Sequence, residues 1–103
     1  MAVRFHALGD PTRIAVVERL LHGPASVSEL AEPFPMALPP FMKHLAVLDD
    51  AGLIRTEKRG RVRICFLEPA ALDDIDMWFR NRRRLWRARL DRLEQLMTKK
   101  GEQ

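Results

Sequence analysis

With 103 residues, 11.9 kDa and 47% hydrophobic residues, the chain is sized for one domain with a modest core, and so small a core makes association with a second copy expected. No apolar run reaches membrane-spanning length, the opening MAVRFHALGD breaks before a signal-peptide core could form, and the lone Cys65 excludes an internal disulfide, so a soluble cytoplasmic protein without a membrane partner is expected. The formal net charge is +4 and the pI about 10.0, with 14 basic against 7 acidic residues between Arg55 and Lys100, which fits nucleic acid, an acidic membrane surface or simply a well-solvated helix.

Residues 2–8 predict a short helix that stops at Gly9. Asp10 and Pro11 then restart the chain as N-cap and first helical residue. The second helix is expected to run to about His22, with Ile14, Val17 and Leu21 inward and Val16 and Leu20 beside them, before Gly23-Pro24 end it. Ser26-Val27-Ser28-Glu29 is a capping-box pattern in which the Ser26 hydroxyl and the Glu29 carboxylate satisfy reciprocal backbone donors. It opens a short third helix, with Val27, Leu30 and Ala31 inward, that Pro33 and Pro35 limit to about two turns.

The organising stretch is Met36 to Gly52, MALPPFMKHLAVLDDAG. On a helical wheel Phe41, Leu45 and Leu48 form one stripe, and Pro39, Met42, Lys43 and Ala46 the opposite one. The first packs and the second is presented. Pro39 and Pro40 fit the first turn, where N–H groups have no intrahelical partner, and Gly52 suits a left-handed C′ position. The short gap from the third helix is the spacing of a helix-turn-helix, a spacing that many small helical proteins share.

After Gly52 the period changes to two. Leu53 to Lys58 pairs with a strand in which Val62, Ile64 and Phe66 are expected to face inward and alternate with Arg61, Arg63 and Cys65, across a turn at Arg59-Gly60. The tip gathers Lys58, Arg59 and Arg61, whose mutual repulsion an anion would relieve; a solvated ribbon tip is the plainer reading. Cys65, with Arg61 and Arg63 on its face, is either an oxidisable thiol of lowered pKa or simply a packing residue, and the second is the simpler.

From Pro69 to about Lys100 one long helix is expected, with Asp73 and Asp74 near its start and Lys99 and Lys100 near its end, as the helix dipole favours. Leu72, Ile75, Phe79, Trp86, Leu90, Leu93 and Met97 repeat at intervals of three, four or seven, flanked by Trp78, Leu85 and Leu96. That stripe is wider than so small a domain can cover, which predicts pairing with the same helix of a second chain. Arg80, Arg83, Arg84 and Arg87 lie on the opposite face, as a solvated surface or, on the sharper reading, a second phosphate-contacting patch.

The order of elements is that of a winged helix-turn-helix: mainly α with a small β-hairpin and a long C-terminal dimerisation helix. The chain resembles the ArsR/SmtB family of small dimeric repressors in Phe5-His6-Ala7-Leu8-Gly9-Asp10-Pro11-Thr12-Arg13, in Ser28-Glu29-Leu30-Ala31, and in Lys43-His44-Leu45-Ala46-Val47-Leu48 with Ala51-Gly52-Leu53-Ile54. Trp78 through Trp86 to Arg89-Leu90-Asp91-Arg92-Leu93 resembles a branch of that family lacking the usual metal ligands.

The resemblance implies a single winged-helix DNA-binding domain over 1–103, with the helix-turn-helix at about 26–52, the wing at about 53–67 and the dimerisation helix at about 69–100. It implies a homodimer that reads double-stranded DNA at a pseudo-palindromic operator, with the 38–51 helix in the major groove. Lys43 is the long hydrogen-bonding side chain for guanine or phosphate, Pro39 and Met42 make apolar contacts, and Pro40 and His44 complete the helix's contact set. Arg59 and Arg61 reach phosphates or the minor groove. The dimer interface would take Phe5, Leu72, Ile75, Trp78, Phe79, Leu85, Trp86, Leu90 and Leu93. His44 stands at the edge of the core stripe, so packing or a bond to the neighbouring helix competes with a phosphate contact. The family often has a small polar residue where Ala37 and Met42 stand, which points to sparse base readout and more reading of DNA shape.

Glu29 to Phe34 holds no cysteine and Asp73 to Glu94 no histidine, so no transition-metal site and no cofactor is expected. An effector-free autorepressor and a regulator holding a ligand between its C-terminal helices both fit these residues. No nucleophile–base–acid set or glycine-rich phosphate loop points to an enzyme. The alternative from another class is a protein-interaction module that pairs through the C-terminal helix, with the winged domain as scaffold.

Overall fold

The computed structural model describes the backbone of residues 1–101 and the side chains of residues 1–98. Asp10 opens the second helix as expected: its backbone is extended and its carboxylate accepts from the N–H groups of Thr12 at 2.9 Å and Arg13 at 3.1 Å. Helix α1 (Ala2–Leu8) precedes it, and α2 (Pro11–Leu20) ends two residues before the expected boundary. The buried arc of α2 is Val16, Val17 and Leu20, whereas Ile14 and Leu21 are 41% and 62% exposed. This corrects the expected face. On the wheel the inward arc centres between Val17 and Leu20 and includes Arg13, which leaves Ile14 and Leu21 at its margin.

A strand not expected from the sequence follows. Strand β1 (Ala25–Ser26) pairs antiparallel with β3 (Val62–Leu67), and β2 (Ile54–Arg59) lies on the other side of β3, so the wing is the larger part of a three-stranded sheet in the order β1-β3-β2. Helix α3 (Val27–Ala31) starts directly from β1. Ser26 Oγ accepts from the Glu29 N–H at 3.1 Å, but the Glu29 carboxylate meets the Ser26 hydroxyl rather than its backbone N–H, so half of the capping box forms.

Helix α4 (Leu38–Asp50) has the stripe its sequence dictates: Phe41, Leu45 and Leu48 are buried, while Pro39, Met42, Lys43 and Ala46 are exposed. Burying each of the three large side chains stabilises the fold by roughly 1.5–3 kcal/mol. The Phe34 ring, in the turn before the helix, lies 5.6 Å from that of Phe41. Gly52 has φ +72°, its N–H donates to Asp49 O, and the Leu53 N–H donates to Leu48 O, which together make a Schellman stop.

The parity of the wing is the reverse of the expected one. Cys65 is fully buried and pairs with Ala25 and Thr56, while Val62 is exposed and Ile64 and Phe66 are half-buried. Apolar alternation misleads here because the outer face covers its own aromatic: the guanidinium groups of Arg55 and Arg59 lie 4.4 and 5.5 Å from the Phe66 ring centre. The register Arg59↔Val62 makes Gly60-Arg61 the two-residue turn, with Gly60 at φ +64°.

Helix α5 (Pro69–Gly101) is continuous. The chain divides into two compact units, 1–72 and 73 onward. Within the first, α4 packs on α1, α2 and β2. In the second, the large side chains of Phe79, Leu85, Trp86, Leu90, Leu93, Leu96 and Met97 are exposed. Lys99 and Lys100 belong to the final turns of α5, and their side chains lie outside the described residues.

Candidate nucleic-acid interface

Pro39, Lys43 and Ala46 are carried by α4 on the side away from its buried stripe, so packing of Phe41, Leu45 and Leu48 dictates what the helix presents. Met42 lies at one edge of that face. It shares a cleft of about 230 Å3 with Ser26, Val27 and Ser28 from the start of α3 and with Arg61, Val62 and Arg63 from the wing. The fold therefore brings the front of α4 and the wing tip to one concavity, and Ser28 and Arg63, which the sequence reading passed over, line it too. Ser28 is an unspecified position of the capping box, whose spacing picks out Ser26 and Glu29, and nothing local distinguishes Arg63 from the other wing arginines. Pro40 is exposed in the first turn of α4.

The three wing-tip cations are not equivalent. Arg59 donates to the Glu57 carboxylate at 3.3 Å and lies over Phe66, so it is partly engaged within the wing. Arg55 also pairs with Glu57, and with Glu68 at 3.0 Å. The hydrogen bond from Arg55, with help from Arg59, outweighs desolvation and holds the Glu57 carboxyl below its ordinary range. Lys43, Lys58 and Arg61 form no ion pair among the described residues. With Arg63, whose Nη1 donates to Thr56 Oγ1 at 3.4 Å, they are the cations this face leaves without a carboxylate among the described residues.

His44 faces inward. Its Nδ1 lies 3.1 Å from Arg13 Nη1 and 3.7 Å from the Asp10 carboxylate, which ties α4 to the start of α2. Burial opposes the charge on Asp10, yet hydrogen bonds from the backbone of Arg13 and Thr12 and the nearness of His44 and Arg13 leave its carboxyl below the ordinary value. Of the two readings of Cys65, its full burial fits packing: burial pushes the thiol up, and nearby Arg63 offsets only part of that.

Among the described residues no group of three or more His, Cys, Asp or Glu is placed to hold a metal ion, and no helix is long and apolar enough to cross a membrane. On α5, Arg80 pairs with Asp76 at 3.0 Å, one turn away, as on a solvated face. Phe79, Leu85 and Trp86 with Arg82, Arg83 and Arg89 border a surface groove of about 540 Å3. Of the expected interface residues, Phe5, Leu72, Ile75 and Trp78 are half-buried, and Phe79, Leu85, Trp86, Leu90 and Leu93 are exposed.

A helix-turn-helix whose second helix presents its exposed face next to a basic β-wing is the architecture of a winged-helix DNA-binding protein. A family model described as a helix-turn-helix domain matches residues 8–57. Over 102 residues the chain is 37% identical to the HTH-type transcriptional regulator Rv2034 of Mycobacterium tuberculosis, covering 95% of this chain and 89% of that one. It is 30% identical to the transcriptional repressor SdpR of Bacillus subtilis over 77 residues, 75% of this chain and 86% of that protein. A crystal structure of an ArsR family transcriptional regulator matches with TM-score 0.79 and 53% identity, covering 82% of this chain and 93% of the other. The chain belongs to the ArsR family of transcriptional regulators; it is a DNA-binding regulator and not an enzyme.

Proposed function

We propose that the protein is a homodimeric repressor, acting in the cytoplasm and on its own gene, that reads a pseudo-palindromic operator. The observation that carries this reading is the shared cleft of Met42 and Arg61, which supports simultaneous contact by α4 and the wing. In this reading residues 1–103 act as one winged-helix domain, with the helix-turn-helix at about 26–52 and the wing at about 53–67. Helix α4 enters the major groove, where Lys43 donates to guanine O6/N7 or a phosphate and Pro39, Pro40 and Met42 make apolar contacts. His44 contacts the backbone at the groove's edge. Arg61, which lacks an internal ion pair, carries more of the wing's phosphate contact than Arg59, which must leave Glu57 to contribute.

The stripe on α5 supports pairing of two chains, since a row of exposed Phe, Leu, Trp and Met side chains is larger than a solvated monomer surface ordinarily keeps. The interface takes Leu72, Ile75, Trp78, Phe79, Leu85, Trp86, Leu90 and Leu93, with Phe5 of α1. Two α4 helices about one DNA turn apart then reach successive major grooves. The repressor named among the relatives supports the sign of regulation.

The test is fluorescence anisotropy of the purified protein with a duplex from upstream of its own gene and with a scrambled duplex, across a salt series. Preference for the first duplex, a steep loss of affinity with salt and two chains per site are expected. Equal, weak binding to both would refute operator recognition there and turn the search to protein partners.

A further inference from the structure

Arg13 stands where three elements meet. Its Nε donates to Ala7 O at 2.6 Å and its Nη2 to His6 O at 3.2 Å, so two of its donors reach carbonyls at the end of α1, where His6 O also accepts from the Gly9 N–H. Its third contact runs from Nη1 to His44 Nδ1 at 3.1 Å. A guanidinium has donors only and keeps its proton, so Nδ1 accepts. A neutral imidazole that accepts through Nδ1 carries its one proton on Nε2.

Among the described residues no other group bonds His44 in a way that demands the other tautomer. Asp10 Oδ2 lies 3.7 Å from the same Nδ1, beyond hydrogen-bond length, and that oxygen already accepts from the Thr12 and Arg13 N–H groups. His44 is next in sequence to Lys43, at the margin of the presented face of α4, and 23% of its side chain is accessible. An imidazole edge there offers a phosphate either a donor or a repelling lone pair, according to its tautomer.

We propose that Arg13 is a positioning residue for DNA binding, which locks His44 as its Nε2–H tautomer so that the margin of α4 offers a hydrogen-bond donor to a backbone phosphate oxygen. The inference rests on α4 being the helix that meets DNA. It gives Arg13, distant in sequence from every other proposed contact, a part in recognition without touching the nucleic acid.

Two measurements test it. In the full chain free of DNA, long-range proton–nitrogen correlation at pH 8 should give His44 a protonated Nε2 and an unprotonated Nδ1, and Arg13→Met should let the two forms average. A ring protonated at Nδ1, or an unchanged tautomer in a folded Arg13→Met, overturns the lock. Should Arg13→Met fail to fold, the wild-type spectrum and the His44 variants still decide.

His44→Asn places an acceptor near the Nδ1 position and nothing at Nε2, whereas His44→Gln places an amide donor near Nε2. With a duplex from upstream of the gene, His44→Asn should keep the wild-type melting temperature and lose about tenfold in affinity, and His44→Gln should recover most of that loss. Wild-type affinity in His44→Asn, with affinity lost in Lys43→Ala, overturns the phosphate contact and leaves the α4 reading standing. If wild type itself does not prefer its duplex to a scrambled one, the α4 reading fails and the contact with it, and the spectrum then judges the lock alone.

Discussion

The winged unit and the long C-terminal helix both carry rows of large apolar side chains, yet only the first hides them. Phe41, Leu48, Leu53 and Ile54 are almost wholly buried in residues 1–72, whereas Trp86 is 60% and Met97 74% exposed in the unit that follows. The same residue types at the same helical spacing thus serve two ends. In the winged unit three elements close around α4, and burial stabilises one chain. On α5 the spacing continues, and Leu85, Trp86, Leu90, Leu93, Leu96 and Met97 stay exposed, a surplus that supports the proposed pairing with a second copy.

The sharpest way to break this contrast is at Trp86. In the proposed dimer Trp86→Ala removes a buried ring from each copy, and losing roughly 1.5–3 kcal/mol per side chain should shift sedimentation equilibrium strongly toward monomer. A variant that stays dimeric to the same dilution would take Trp86 out of the interface. Phe41→Ala should act on folding instead and cost about 3–5 kcal/mol in denaturant unfolding. Met97→Ala, on the exposed row, should leave the folding of the winged unit unchanged; equal losses from both would erase the distinction. A smaller effect is expected from Lys43→Ala, which should weaken specific binding by roughly 1–3 kcal/mol at constant stability. Unchanged affinity and sequence preference would remove Lys43 from the reading set.

The smallest expected effect concerns acid. The Asp10 carboxyl titrates lower folded than in its ordinary state, at 3.8 unfolded, so its contribution is present above that value and is lost as the pH falls through the folded pKa. Asp10→Asn keeps a capping acceptor without the charge. Acid unfolding followed by circular dichroism should then be less steep below about pH 4 than in wild type. An identical profile would mean that the Asp10 charge contributes nothing.

The α4 stripe, the Asp10-Pro11 start, the glycine turn conformations and the length of α5 were legible because each is local: a 3.6 period, a cap or a positive φ is written within a few residues. The early end of α2 and the half-formed capping box are local misses; the larger ones depended on partners distant in the chain. Strand β1 is two residues long and has no period of its own; it exists because Cys65 and Ile64 pair with it. The parity of β3 was hidden because Arg55 and Arg59 roof Phe66, giving the outer face an apolar residue that reads as core. Ile14 and Leu21 looked inward until Arg13 was found to share the buried arc of α2. In the candidate interface, Pro39, Met42 and Lys43 followed from the wheel alone, whereas the unequal engagement of Arg59 and Arg61 depends on where Glu57 points.

Leu53 is fastened at both ends: its N–H donates to Leu48 O, closing α4, and its carbonyl accepts from the Glu68 N–H at the foot of the returning strand. One residue therefore clamps the end of the helix to the root of the wing, and the two move as the arms of a caliper whose gap is set by main-chain bonds. In the proposed dimer, turning one whole caliper against the other would change the distance between the two and leave the opening of each as it was.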